Sequence, residues 1–324
     1  MAIGVDIGGT KTVVGLVAPD GSVLNSHVVP TPSQDSEALF AVVAEAVAQV
    51  AGSVTGADGG AVIGIGIGVA GLVDAPGRTV VFAPHLAWRG EPVAARFEAM
   101  TGLPVEVEND VAATAWAEYV FGAGRGVDPL LVLTVGTGIG GGIVIGGQLI
   151  RGATGASGEV GHVPFVPDGR PCACGANGCW EQYASGTALT RAARELVASG
   201  DPASRALSQA CEGDAEQLDG AMVTELALAG DPASIAVIAR IGALLGEGLA
   251  GTVAILDPQR VVVGGGAAQA GDLLLQPARE ALAARLVGAA FRPVPPIVAA
   301  ECGEQAAMIG AAELARQRFG AAQT

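Results

Sequence analysis

From its second residue the chain sets short β-branched apolar runs between glycine turns. "AIGVDIGGTKTVVGLVAPDGSVLNSHVV" reads as strand, Gly turn, strand, Asp20-Gly21 hairpin turn and strand. A helix follows over Glu37 to Ala51. "AVIGIGIGVAGLVD" reads as a buried strand with alternating glycines, and "LPVEVENDVAATAWAEYVFG" as a strand running into a helix through Glu108-Asn109-Asp110. Strands and helices alternate, which sets the class as α/β.

"LLVLTVGTGIGGGIVIGGQLIRG" then repeats the opening plan: β-rich run, Gly turn, β-rich run, Gly-containing hairpin turn, third strand. Two copies of one supersecondary plan predict two related domains facing a cleft. Helical patterns dominate later, including "ASIAVIARIGALLGEGLAGTVAIL", before a strand and turn at "QRVVVGGGAAQAG" and a last helix in "EQAAMIGAAELARQRF". Asp201-Pro202 and Asp231-Pro232 read as helix starts, with Asp at the cap and Pro in the first turn. No flexible Ser/Gly/Pro linker separates the halves, so two packed, hinged domains are expected.

Composition narrows the partners. The 324 residues carry a formal charge of −15, which leaves no basic footprint for a nucleic-acid backbone or an anionic membrane. "MAIGVDIGG" has no basic region and meets Asp6 before an apolar run builds, unlike a secretory signal. Pro129 to Ile150 is uncharged and long enough for a membrane helix, but its glycines would each cost about 1 kcal/mol there, so buried strands are expected instead. Five cysteines, three of them clustered, fit a reducing compartment and a cytoplasmic location.

The candidate chemistry lies at the turns. In "DIGGTK", Asp6 ends a strand before a Gly-rich turn whose backbone N–H groups and hydroxyl suit phosphate oxygens, with the carboxylate able to organise Mg²⁺ through water. A plain Gly β-turn is the competing reading. "VGTGIGGG", Gly136 to Gly142, supplies a second such turn at the equivalent place in the second half. Neither turn ends in Gly-Lys-Ser/Thr or opens a long helix, so neither is a Walker A loop or a dinucleotide fingerprint. A third turn, ending "VVVGGG" at Gly266, either lets an adenosine ring approach the backbone closely or is a strand-to-helix turn without a ligand. Asp110 stands at a strand-to-helix junction, either as the base that accepts a hydroxyl proton or as a helix cap. Asn109 beside it offers a donor and an acceptor to hydroxyls.

The stretch "GEVGHVPFVPDGRPCACGANGCWEQ" supplies His162, Cys172, Cys174 and Cys179, the donor set of a closed Cys₃His zinc site. With no open position the zinc is expected to be structural, fixing the His162 tautomer and leaving its other nitrogen for a hydroxyl. Folding around zinc draws Glu159 and Glu181 toward the same place, where carboxylates could accept hydrogen bonds from the hydroxyls of a sugar; a solvated surface carboxylate is the competing reading for each. Cys211 and Cys302 read as packing residues, and Trp88, Trp116 and Trp180 as core or cleft wall.

Together "DIGGTK", "END", "VGTGIGGG", "GEVGH" and "CACGANGCWEQYASG", in this order and over nearly the whole chain, resemble the ROK family (repressors, open reading frames, sugar kinases), and within it the ATP-dependent kinases of glucose. The resemblance implies an actin-like ATPase (ribonuclease H-like) fold, with a small α/β domain over 1–113 plus 304–324 and a large one over 114–303 that carries the zinc loop and oligomer contacts. It implies Mg·ATP at Asp6, Gly8, Gly9, Thr10, Lys11, Gly136, Thr137, Gly138, Gly264, Gly265 and Gly266. Asp110 would be the catalytic base. Glucose would be held by Gly71, Asn109, Asp110, Glu159, His162 and Glu181, and the γ-phosphoryl group would pass in line to its 6-hydroxyl. A homodimer or homotetramer is implied. Kinases for another hexose, N-acetylmannosamine or N-acetylglucosamine share much of this polar set, and sugar-responsive repressors of the family carry an N-terminal helix-turn-helix, whereas here the phosphate motif starts at Asp6. One departure stands out: in "APHLAW", His85 occupies a position where the family pattern more often has Asn.

Overall fold

The computed structural model describes residues 1–52 and 61–320. The chain divides into two compact units, 1–126 with 142–158 and 301–324, and 127–141 with 159–300. The first unit takes in the whole strand-to-helix segment past residue 113, and also 142–158, because both pack on its own elements. Residues 53–60 and 321–324 of the expected small domain lie outside the described residues.

In the first unit, β1 (Ala2–Ile7), β2 (Lys11–Val17) and β3 (Val23–Pro30) form an antiparallel meander. Next come α1 (Ser36–Gly52), β4 (Ile65–Val69), β5 (Leu72–Val73), β6 (Val80–Phe82), β7 (Arg89–Glu91), α2 (Val93–Thr101), β8 (Val105–Asn109) and α3 (Asp110–Val120). The main sheet has the order β3-β2-β1-β4-β8, and β5-β6-β7 form a small antiparallel sheet. Strand periodicity sorts the residues: Ile3, Val5 and Ile7 join Leu39, Phe40 and Val43 in the core on one face, whereas Gly4 and Asp6 point to the other. The parallel registers Gly4↔Gly66↔Glu106 and Asp6↔Gly68↔Glu108 run across that second face.

The alternating glycines have a packing reason. The C-terminal helix lies so close to this face that a Cβ at Gly4 would stand 2.0 Å from the Met308 carbonyl oxygen and one at Gly66 1.8 Å from that of Ala311. No other residue fits there.

The second half begins with β9 (Leu130–Val135), β10 (Ile139–Ile145) and β11 (Gln148–Leu149), so strands occupy the uncharged stretch 129–150, as its glycines require. There follow α4 (Glu181–Ala184), α5 (Gly186–Ala198), α6 (Arg205–Ala210), α7 (Gly220–Leu228), α8 (Pro232–Leu256), β12 (Arg260–Gly264), α9 (Asp272–Arg285), β13 (Ile297–Ala299) and the C-terminal α10 (Ala306–Gly320). The second sheet, β11-β10-β9-β12-β13, has the strand plan of the first. The internal repeat seen in the sequence is therefore a repeat of topology.

Asp231 caps α8 by accepting from Ser234 N at 2.8 Å. Asp201-Pro202 likewise starts a helical turn, the 3₁₀ turn Pro202–Ser204, with Pro in its first turn and Asp201 Oδ1 capping it by accepting from Ala203 N at 2.9 Å. There the Ser204 hydroxyl and backbone N–H both take the Asp201 carbonyl, at 2.7 and 2.9 Å, and α6 starts only at Arg205. Among the described residues α8 is the one helix long and apolar enough to cross a bilayer. Val237, Ile241, Leu245, Leu249 and Val253 are buried along it, and Gly242 and Gly246 bring it against the backbone of α9.

Candidate active site

In the first unit the turn between β1 and β2 is closed by Gly8 N–H donating to the Lys11 carbonyl at 3.1 Å. Asp6 sits just before it, on the glycine-lined face. Burial pushes its carboxyl up to about 7; the nearby Asp110 charge adds to the rise and Lys11 opposes it. Gly68 lies beside this pair, and a Cβ there would be 3.6 Å from the Asp110 Cα.

Asn109, not Asp110, is the helix cap: its Oδ1 accepts from Val111 N at 2.9 Å and Ala112 N at 3.0 Å. Its Nδ2 donates to the Gly71 carbonyl at 3.1 Å. Asp110 is thereby the first helical residue, with Oδ1 also accepting from Val111 N at 3.0 Å. Gly71 is pressed against the end of β6, where a Cβ would meet the Phe82 oxygen at 2.5 Å. Asp6, Gly8, Gly9, Thr10, Lys11, Gly71, Asn109 and Asp110 are thus all in the first unit.

Sequence reasoning missed the support beneath them. Glu106 and Glu108 are buried, and Arg151 joins them, Nη2 to Glu106 Oε1 at 2.8 Å and Nε to Glu108 Oε2 at 2.6 Å. Glu108 Oε1 accepts the backbone N–H of Asn109 at 3.0 Å, so this ion pair holds the junction carrying Asn109 and Asp110. Burial raises the pKa of both glutamates while Arg151 pulls it down. The period-2 repeat "VEVEN" signalled two glutamates on one face; nothing local named Arg151 as their partner.

The second unit carries the other residues. Its glycine turn is closed by Gly136 N–H donating to the Gly138 carbonyl at 3.0 Å. The start of α5 is tied to it, Gly186 N–H to Gly136 O at 2.7 Å and Thr187 Oγ1 to Thr137 O at 2.7 Å. Gly265, at φ +86°, comes so near β9 that a Cβ would meet Val135 backbone at 2.7 Å. The sequence-predicted glycines Gly136 and Gly266, with Thr137, line a cavity of about 860 Å³ that also takes in Thr187, Arg191 and Gln269. Arg194 on its wall is spent structurally, bonding Glu216 Oε2 at 2.6 Å and the Leu218 carbonyl at 2.9 Å. The contribution of α5 had no motif to announce it.

The four side chains expected to bind zinc come together. The ligand atoms of His162, Cys172, Cys174 and Cys179 lie within 4.8 Å of one another. Cys174 and Cys179 sulfurs are 3.6 Å apart, as are Cys172 Sγ and His162 Nδ1. That is far beyond a disulfide bond and close to the edge, about 3.8 Å, of a tetrahedron of thiolates around zinc. The donor set fits structural zinc. Gly175 and Gly178, at φ +94° and +77°, turn the chain between the cysteines. The geometry also assigns the imidazole: Nδ1 faces the thiols, and Nε2 faces Glu159 Oε2 at 3.6 Å. Glu181 Oε1 is 3.7 Å from Nδ1, while its other oxygen backs onto the glycine turn, 3.4 Å from Ile139 N. Glu159, His162 and Glu181 are therefore brought together.

The ROK family profile matches residues 2–318. The chain is 42% identical over 317 residues to the glucokinase of Streptomyces coelicolor, covering 98% of each. It is 35% identical over 320 residues to that of Thermotoga maritima, again 98% of each. Among solved structures it is similar to a ROK family glucokinase from Streptomyces griseus in complex with glucose and AMPPNP, with 42% identity, 98% of this chain and 99% of that one covered, and a TM-score of 0.87. The fold is that of the actin-like ATPases.

Proposed function

The chain belongs to the ROK family, and from that premise we propose that it transfers the γ-phosphoryl group of ATP to the 6-hydroxyl of glucose. The observation that carries this reading is the likeness, end to end, to a glucokinase solved with glucose and an ATP analogue. Gly71, Asn109, Asp110, Glu159, His162 and Glu181 hold the sugar. The phosphates and adenosine lie against Asp6, Gly8, Gly9, Thr10, Lys11, Gly136, Thr137, Gly138 and Gly264 to Gly266, with the 860 Å³ cavity roomy enough for a nucleotide base and ribose.

As the bond from the sugar oxygen to the γ-phosphorus forms and the bridging bond to ADP breaks, Asp110 accepts the hydroxyl proton. Asn109 keeps Asp110 in place by capping its helix. Asp6 would hold Mg²⁺ through water, which would supply neutralisation of phosphate charge, and Cys172, Cys174, Cys179 and His162 would hold zinc, which would fix the imidazole with its Nε2 free for a sugar hydroxyl. Positioning and electrostatics supply most of the acceleration.

A Cys₃His site needs reduced thiols, which supports a cytoplasmic location. A homodimer or homotetramer is proposed on the family likeness alone. The test of function is ADP release with Mg·ATP against glucose, other hexoses, N-acetylmannosamine and N-acetylglucosamine. Strong preference for glucose is expected; turnover with a different sugar alone, or with none, overturns the assignment.

A further inference from the structure

The residues 83–88, between β6 and β7, bring a histidine onto the β1–β2 turn. A Cβ added to Gly9 would lie 2.9 Å from the Cβ of His85 and 3.5 Å from its Cγ, so the His85 side chain leaves its backbone directly against that glycine. Ala83 touches the sugar-side residues: a Cβ on Gly71 would be 3.0 Å from the Ala83 Cα, and the Gly71 carbonyl is the one that takes the Asn109 amide. Gly9, His85, Ala83, Gly71 and Asn109 are therefore contiguous within one unit.

The loop is held firmly, but not by His85. The Arg89 guanidinium donates to the carbonyls of Ala83, Leu86 and Trp88 at 2.6, 2.9 and 2.6 Å, and it lies 4.2 Å from the Phe82 ring centre. Ala87 N–H donates to Ser33 O at 2.8 Å, and Trp88 Nε1 to Ser36 Oγ at 3.0 Å. His85 itself is exposed and makes no hydrogen bond or ion pair among the described residues. Nothing in the fold uses its imidazole, yet the loop presents it in a set position. A neutral imidazole always has one N–H to give, and the adjoining turn offers backbone N–H groups and Lys11, all suited to an anionic phosphate.

Building on the function proposed above, we propose that His85 donates an imidazole N–H to a phosphoryl oxygen of the nucleotide at the Gly8–Lys11 turn. This makes it a substrate-contacting residue where the family pattern more often has an amide, whose N–H₂ is also a donor. A hydrogen bond to a charged group is worth a factor of about 10 to 100. His85→Ala should lower kcat/KM for ATP about tenfold or more while the KM for glucose stays within about twofold, and His85→Asn should restore most of the loss. In the wild-type protein, Mg·AMPPNP should shift the His85 ring ¹⁵N resonances and glucose alone should not.

A shift with glucose alone, a loss confined to the sugar KM, or unchanged kinetics in both variants overturns the contact. Should His85→Ala fail to fold, the wild-type resonances decide. A protein that binds AMPPNP with the His85 shift but phosphorylates no sugar would refute the function and leave the contact standing.

Discussion

Replacing Arg151 by Met strips the charge from beneath the β8–α3 junction while keeping most of the aliphatic stem. Two charge-assisted hydrogen bonds, 2.6 and 2.8 Å long, are lost. Glu106 and Glu108, with side chains only 5% and 6% exposed, are then left with Arg318, 3.3 Å from Glu106, as the remaining close cation. Breaking a buried ion pair from one side costs about 3–5 kcal/mol. Arg151 is itself 28% exposed, so water reaches part of the pair and the lower end applies, about 3 kcal/mol near pH 7.5.

The sign of the pH dependence follows from the raised pKa values of both glutamates. The folded protein holds protons that the unfolded chain would release, so their contribution is present at low pH and lost as pH rises through the folded pKa. Without Arg151 those values climb further, and the deficit against wild type should shrink as pH falls toward 5. Guanidinium unfolding followed by tryptophan fluorescence at pH 5, 6.5 and 8 measures it. A deficit below about 1 kcal/mol at pH 8, or one that grows on acidification, would refute the idea that the pair holds this junction. Adding Glu108→Gln to the variant should recover part of the loss, since it removes the stranded charge.

Asp110→Asn should cut kcat by about 10²–10⁴ while calorimetry shows glucose binding changed only a few-fold; equal loss of both in a folded protein argues against the base. Because burial raises the Asp6 carboxyl to about 7 and Lys11 opposes that rise, activity that needs ionised Asp6 should fall as pH drops below that value. Lys11→Met should move this acid limb to higher pH in a pH–rate profile, and a limb left in place would contradict the assignment. Cys179→Ala should abolish a stoichiometric zinc content read by mass spectrometry and raise the glucose KM about tenfold or more through the loosened His162, leaving AMPPNP affinity within a few-fold. Retained zinc would show that the four ligands do not act as one site.

The Cys₃His cluster was legible because a Cys-x-Cys-Gly-x-x-Gly-Cys run confines three thiols within a few residues, and its glycines permit the turns that aim them together. The repeated strand–turn–strand plan, the glycine turns and the strand-to-helix junction at Asn109-Asp110 were legible for the same reason: dihedral preferences and strand or helix periodicity act over short spans. Even there, which of two adjacent side chains caps α3 depended on a distant group, since the Asn109 amide is satisfied by Gly71, 38 residues away. The alternating glycines of β4 could be read as buried but not as the seat of α10, which arrives from the far end of the chain. Arg151 and Glu108 lie 43 residues apart, and Glu118 takes backbone N–H groups of Glu301 and Cys302 more than 180 residues away. Local sequence therefore determined the elements, the turns and the ligand types. Tertiary packing decided which charge meets which, which imidazole nitrogen faces the thiols, and which side chain is left without a structural partner among the described residues, because those choices depend on surfaces that exist only after distant segments have come together.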